Sequence, residues 1–151
     1  FGMDVVAYDP YLQPARAAQL GVRLVELDEL LKISDFITIH LPKTKETANL
    51  IGVEALKKVK PSVRIINAAR GGVLDEAALH DAIVEGRVAG AGLDVFEHEP
   101  KVHEGLLDLD NAVLIPHLGS ATVETRTAMA NTAATNSLAV LAGKTAPNLV
   151  G

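Results

Sequence analysis

Apolar and polar positions along this chain alternate between two spacings, which predict strands and helices in turn. Strand-like runs rich in β-branched residues cover positions 3–8, 22–25, 36–41, 63–69, 88–95 and 112–115. The segments between most of these runs have helical spacing. Strands that alternate with helices are typical of a parallel sheet built from right-handed crossovers. The pattern therefore predicts an α/β fold with a doubly wound parallel sheet.

Turn and cap residues mark the ends of the predicted helices. Three helices are expected within residues 14–21, 27–34 and 75–86. A fourth, roughly 20 residues long, is expected to begin at Ser120 or Thr122 and to end at Gly143. Its many alanines predict that it packs closely against its surroundings. We find no linker or low-complexity stretch, so one domain is expected.

The composition of the chain excludes some classes of binding partner. The chain has 151 residues, of which 48% are hydrophobic, and a formal net charge of -5. An acidic chain has no basic face for nucleic acid or anionic lipid, and no apolar run is long enough to span a membrane. It has no cysteine, which fits a cytoplasmic location. We expect no metal site, because His98 and His103 are separated by Pro100 and cannot share a helical face.

Ionisable residues lie at or just after the ends of five of the six predicted strands. They are Asp9, His40, Arg70, Asp94 and His117. In open α/β sheets the ligand crevice lies outside the carboxyl ends of the strands. One such residue would carry little weight, because loops at strand ends are generally polar. Five together predict a binding site at this edge of the sheet.

Three of the polar residues form a chemically coherent set. Arg70 follows a buried strand, and its guanidinium can bind a carboxylate through two parallel hydrogen bonds. The alternative is a surface arginine paired with Asp75 or Glu76. A carboxylate such as Glu99, hydrogen-bonded to the imidazole of His117, would raise the pKa of the ring and make it a proton donor near neutral pH. The set suits reduction of a 2-oxo acid, if Glu99 reaches His117.

Four segments together resemble a known family. They are "LPKTKETANLI", "INAARGGVLDEAAL", "GAGLDVFEHEP" and "LIPHLGSAT". They resemble the signature segments of the NAD-dependent D-2-hydroxyacid dehydrogenases, which include D-3-phosphoglycerate dehydrogenase and glyoxylate/hydroxypyruvate reductase. The resemblance runs over nearly the whole chain and implies a Rossmann-like fold, NAD as cofactor, a small 2-oxo or 2-hydroxy acid as substrate, and a homodimer.

The resemblance also implies roles for individual residues. Arg70 would bind the substrate carboxylate, while Glu99 and His117 would form the general acid/base pair. Asp9 would accept hydrogen bonds from the adenosine ribose, which favours NAD over NADP because a carboxylate repels a 2′-phosphate. The residues implied in cofactor binding are Asp9, His40, Pro42, Thr47, Ala68, Ala69, Arg70, Asp94, His117 and Gly119.

One departure from the family pattern limits these expectations. No G-x-G-x-x-G turn occurs in the sequence, although the family carries one after its first nucleotide-binding strand. We therefore expect residues 1–151 to be a partial NAD-binding domain of a longer enzyme whose substrate domain is separate. Without that first strand, the strands at 3–8 and 36–41 would lack the partner between them.

Two functions stay open from the sequence. Arg70, Glu99 and His117 favour an oxidoreductase, because a protein that only senses dinucleotide needs no proton donor. The alternative is a non-catalytic dinucleotide-binding or regulatory module. The particular 2-hydroxy acid is not fixed, because "AYDPY" and "NAARGG" resemble phosphoglycerate dehydrogenase, whereas "GSATVETRTAMA" and "PNLVG" resemble the reductases, which we slightly prefer.

Overall fold

The computed structural model describes residues 2–150 as an alternation of strands and helices. The strands are β1 (Val6–Ala7), β2 (Arg23–Leu24), β3 (Phe36–Ile39), β4 (Arg64–Asn67), β5 (Gly90–Leu93) and β6 (Ala112–Leu114). The helices are α1 (Pro14–Gln19), α2 (Leu27–Ile33), α3 (Val53–Leu56), α4 (Glu76–Val84), α5 (Glu104–Leu107) and α6 (Val123–Leu141). All six predicted strands are present, although each is shorter than expected. The short helices α3 and α5 were not predicted.

The strands form two parallel sheets. β1 pairs with β2, while β3, β4, β5 and β6 lie side by side in that order in a second sheet. This arrangement confirms the predicted α/β class with parallel strands. Among the described residues β1 and β3 belong to different sheets, as expected for strands that lack a partner between them.

The chain divides into two compact units, Phe1–Pro116 and His117–Gly151. The first unit contains both sheets and helices α1 to α5. The second contains α6 and the segments on either side of it.

The core of the first unit lies on one face of the four-stranded sheet. Alternate residues of neighbouring strands point to this face, and the paired residues Ile37, Ile65 and Ala91 are all buried. Helices α2 to α5 contribute buried side chains to the same cluster, among them Leu31 and Leu79. Burial of one such isoleucine or leucine contributes about 1.5–3 kcal/mol. This packing holds the four strands in place, so that their carboxyl ends lie at a fixed edge of the sheet.

The caps of the two long helices follow the sequence pattern. The side chain of Asp75 accepts a hydrogen bond from Ala78 N (2.9 Å), and that of Thr122 accepts one from Thr125 N (3.2 Å). Thr122, and not Ser120, is therefore the N-cap of α6. Gly143 follows α6 with φ +72°, a left-handed conformation that favours glycine.

The prediction that α6 packs closely is wrong for this chain. None of its residues is buried, and Met129 and Leu141 are 52% and 83% exposed. The unit 117–151 contains no second helix or strand among its described residues that could cover α6. Its alanines are therefore exposed.

No helix among residues 2–150 combines the length and apolar character needed to cross a bilayer. Within the same residues, no group of three or more His, Cys, Asp or Glu side chains is arranged to hold a metal ion.

Candidate functional site

A cleft opens where β4, β5 and β6 end. Its volume is about 160 Å³, and most of its surface is apolar. Asp94 follows β5 directly, is only 6% exposed, and is one of the residues that line the cleft. Small residues at Ala68 and Gly92 leave the centre of the cleft open. The lining residues are Ile66, Asn67, Ala68, Gly92, Leu93, Asp94, Val113 and Ile115.

Asn67 organises the loop that carries Arg70. Its side chain is 2% exposed; Nδ2 donates to Arg70 O (3.1 Å) and Oδ1 accepts from Ala69 N (3.1 Å). Its backbone carbonyl accepts from Asp94 N (2.9 Å), which joins this loop to the end of β5. A buried amide whose donor and acceptor are both used gives the loop a defined shape.

Arg70 lies exposed at the tip of this loop. Its Nη1 donates to Ala69 O (2.7 Å), and within residues 2–150 it forms no ion pair. The alternative pairing is not formed, because Asp75 caps α4 and Glu76 accepts a hydrogen bond from Glu97 N. A guanidinium carries five donors, so a carboxylate can still be bound.

Glu99 lies on the neighbouring loop after β5. Its Oε1 accepts a hydrogen bond from Phe96 N (3.0 Å), so the exposed carboxylate is held against its own loop. Phe96 is buried, and its carbonyl packs against Gly71. A β-carbon at Gly71 would lie 1.8 Å from Phe96 O, so only glycine allows this approach. The structure therefore brings the loops of Arg70 and Glu99 together.

Asp9 and His40 follow β1 and β3 as expected. Oδ1 of Asp9 accepts hydrogen bonds from Tyr11 N (2.8 Å) and Leu12 N (3.2 Å), which closes the turn after β1. The second oxygen of this exposed carboxylate is the one that could accept a bond from a ribose hydroxyl. Nε2 of His40 lies 2.9 Å from Thr38 Oγ1.

Pro42 and Thr47 belong to one loop that is shaped by threonine hydroxyls. Thr47 Oγ1 donates to Pro42 O (2.6 Å) and accepts from Thr44 N (2.8 Å). The side chain of Thr47 therefore fixes the shape of the loop. A cofactor that contacts this segment would have to use atoms other than the Thr47 hydroxyl.

His117 begins the second unit and has an unusual backbone. Its φ is +54°, a left-handed value that costs of order 1–3 kcal/mol outside glycine and is often found at functional sites. Gly119 follows two residues later, ahead of the Thr122 cap. The convergence of His117 with Arg70 and Glu99 stays a prediction.

Sequence reasoning missed two buried polar residues near the site, Asn67 and Glu76. Asn67 had a signal in the sequence, because a polar residue within an apolar strand run is unusual. Glu76 had none, since an acidic residue in the first turn of a helix is ordinary. Its partner Glu97 lies 21 positions away, a contact that only the fold reveals.

The chain resembles known proteins over almost its whole length. It is 55% identical over 150 residues to D-3-phosphoglycerate dehydrogenase of Mycobacterium tuberculosis (strain ATCC 25618 / H37Rv), covering 99% of this chain and 28% of that protein. It is 48% identical over 150 residues to glyoxylate reductase of Thermococcus litoralis, covering 99% and 45%. The crystal structure of a glyoxylate reductase from Paecilomyes thermophila matches with a TM-score of 0.83 at 39% identity, covering 91% of this chain and 42% of the other.

The chain thus spans less than half the length of these relatives. The model of the family described as "D-isomer specific 2-hydroxyacid dehydrogenase, NAD binding domain" matches residues 1–119. The expectations of the family and of NAD as its cofactor are confirmed by this match. This chain belongs to the family of NAD-binding domains of the D-isomer specific 2-hydroxyacid dehydrogenases.

Proposed function

We propose that the complete protein is an NAD-dependent oxidoreductase that interconverts a small 2-oxo acid and its D-2-hydroxy acid. One observation carries the proposal: the Arg70 and Glu99 loops pack together at the carboxyl edge of the sheet, where the cleft lies. Similarity to a D-3-phosphoglycerate dehydrogenase and to glyoxylate reductases supports this class of reaction.

Each of the three residues has a distinct part in the proposed reaction. The guanidinium of Arg70 binds the substrate carboxylate and, as a fixed positive charge, stabilises negative charge that develops on the carbonyl oxygen. The imidazolium of His117 donates the proton that this oxygen takes up, and it accepts a proton in the reverse direction. Glu99 orients the ring and stabilises its protonated form.

The described residues fit a dinucleotide at this edge. The apolar cleft beside Ala68 can accept a flat ring, and Asp94, one of its lining residues, has a carboxylate that can accept hydrogen bonds from an amide. Asp9 suits a ribose with a free 2′-hydroxyl. His40, Pro42, Thr47, Ala69 and Gly119 complete the proposed set. NADH, when bound, supplies the hydride.

The proposal is tested by replacing His117 with alanine in the complete gene product. The H117A variant should lose turnover by at least about 100-fold, because general acid catalysis contributes about 10²–10⁴-fold. Its dissociation constant for NADH should stay close to that of the wild type. The control is H80Q, which changes a histidine on α4 and should keep full turnover.

The outcome of this test also separates the two classes of function. Turnover that survives in H117A would contradict the assignment of the proton donor. A wild-type protein that binds NADH but reduces none of glyoxylate, hydroxypyruvate and phosphohydroxypyruvate would favour the non-catalytic module. The rates with these three compounds also identify the substrate.

We further propose that the complete protein is a homodimer. The exposed apolar side chains of α6, including Val123, Leu138 and Leu141, suit a second copy of the chain. Light scattering of the complete gene product should give twice the mass of one chain, and a monomeric mass would contradict this assignment.

A further inference from the structure

We propose that Glu76 is a positioning residue that holds Glu99 in place opposite Arg70. The inference rests on the proposed function, because Glu99 matters here as the partner of the proton donor. Glu76 is not part of that proposed chemistry, and it contacts the loop of Glu99 without belonging to it.

The burial of Glu76 requires an explanation. It is the first residue of α4 and is only 6% exposed, although glutamate is almost never buried without a partner. The neighbouring Asp75 already caps the helix through Ala78 N. A second carboxylate is thus not needed for capping, and its contact lies outside the helix.

The contact of Glu76 is with the peptide between Phe96 and Glu97. Its Oε1 accepts a hydrogen bond from Glu97 N. The carbonyl of the same peptide, Phe96 O, packs against Gly71, where a β-carbon would lie only 1.8 Å away. One peptide is therefore held on its N–H side by Glu76 and on its carbonyl side by the loop that carries Arg70.

Phe96, which contributes the carbonyl of this peptide, also holds the carboxylate of Glu99 through its own backbone N–H. Phe96 N donates to Glu99 Oε1 (3.0 Å), so the position of Phe96 determines the position of that oxygen. Loss of the Glu76 contact would leave Glu97 N without its charged acceptor and allow the loop to relax away from Gly71. The distance between the Arg70 and Glu99 loops would then no longer be fixed.

The test uses the complete gene product in four variants. E76A removes the acceptor, E76Q keeps an oxygen acceptor of the same size, and E99Q removes the charge that Glu76 is proposed to position. The control E85A removes an exposed carboxylate from the other end of α4, where Glu85 pairs with Arg87. Hydrogen–deuterium exchange of a peptide spanning residues 94–99 reports on the loop. The pH dependence of kcat/KM for 2-oxo acid reduction reports on the acid/base pair.

In E76A we expect exchange in this peptide to rise by about tenfold or more, since hydrogen bonds to charged groups are among the stronger ones. We expect the alkaline limit of kcat/KM to move to lower pH in E76A, in the same direction as in E99Q. An imidazolium that loses its carboxylate partner gives up its proton more easily. E76Q should restore most of both properties, E85A should resemble the wild type, and the dissociation constant for NADH should not change.

Other results would overturn the inference or the proposed role of Glu99. Unchanged exchange in E76A would overturn the inference, as would faster exchange with an unshifted pH profile while E99Q is shifted, because Glu76 would then be structural only. Failure of E76Q to restore the profile would also overturn it. If E99Q itself shows the wild-type profile, the proposed role of Glu99 is wrong, and the positioning role falls with it.

Discussion

Asn67 determines how Arg70 is presented at the end of β4. The buried amide donates to one backbone group of the loop and accepts from another, and no other natural side chain of this size does both in the same way. Aspartate could accept from Ala69 N but could not donate to Arg70 O. The position of the guanidinium therefore depends on Asn67, which forms a hydrogen bond with the backbone of Arg70 and not with its guanidinium.

We expect N67A to lower the free energy of unfolding of the complete gene product by about 1–3 kcal/mol, the cost of leaving buried polar groups unpaired. KM for the 2-oxo acid should rise, because the Arg70 loop loses its defined shape. Urea unfolding and steady-state kinetics measure the two effects. N131A, which changes an exposed asparagine of α6, is the control and should alter neither. An N67A variant as stable as N131A would contradict this account.

At the scale of residues, the sequence predicted positions better than contacts. Asp94 and His40 were placed correctly because polar side chains directly after apolar runs mark strand ends. The connection of Glu76 to Glu97 was not predicted, because a hydrogen bond across 21 positions depends on how two loops pack. The role of Asn67 also follows from its burial, which the strand pattern alone did not give.

Among the elements, α2 is joined to the end of α3 by an exposed ion pair. Lys58 Nζ lies 2.6 Å from Asp28 Oδ1, and this hydrogen bond holds the pKa of Asp28 below its ordinary value. Both side chains are well solvated, so the pair contributes little to stability. The pair is useful as a reporter, because the pKa of Asp28 shows whether the two elements stay together.

We expect K58M to return the pKa of Asp28 towards its ordinary value, as measured by NMR titration of the carboxyl group. Because folding depresses this pKa, the pair stabilises the fold above the pKa of the unfolded chain, and the effect is lost as pH falls through the folded pKa. The difference in unfolding free energy between K58M and the wild type should therefore vanish in acid. The charge of Lys32 also lowers the pKa of Asp28, but less than Lys58 does, so K32M should shift this pKa less. An unshifted Asp28 in K58M would show that the pair does not form.

At the scale of elements, helix caps were predicted correctly from local sequence, whereas the burial of a helix was not. Asp75 and Thr122 cap α4 and α6 as their side chains predict, because a cap depends on residues only three positions apart. The packing of α6 was predicted from its alanines and is not found among the described residues of this chain, because burial depends on a partner surface that local composition does not specify.

For the whole molecule, the two faces of the four-stranded sheet differ. Helices α2 to α5 share a core with one face. On the other face, the paired residues Thr38, Ile66, Gly92 and Val113 remain at least partly exposed, and Val113 is 66% exposed. Parallel sheets are normally covered on both faces. The described residues therefore present a sheet with one covered face and a cleft that continues onto the open one.

This arrangement predicts weak cofactor binding by the 151-residue chain alone. Dinucleotides gain much of their affinity from backbone N–H groups of a glycine-rich turn at a helix N-terminus, and this sequence contains no such turn. In the proposed site, Asp9, Asp94 and the cleft would contact the ribose and the ring, and no glycine-rich turn would donate to the pyrophosphate. Titration of the 151-residue chain with NADH, followed by fluorescence, should not saturate in the micromolar range, whereas a longer gene product that carries such a turn should. Micromolar affinity in the isolated chain would show that its own residues bind the phosphates. The proposed placement of NAD at this edge of the sheet would then have to be revised.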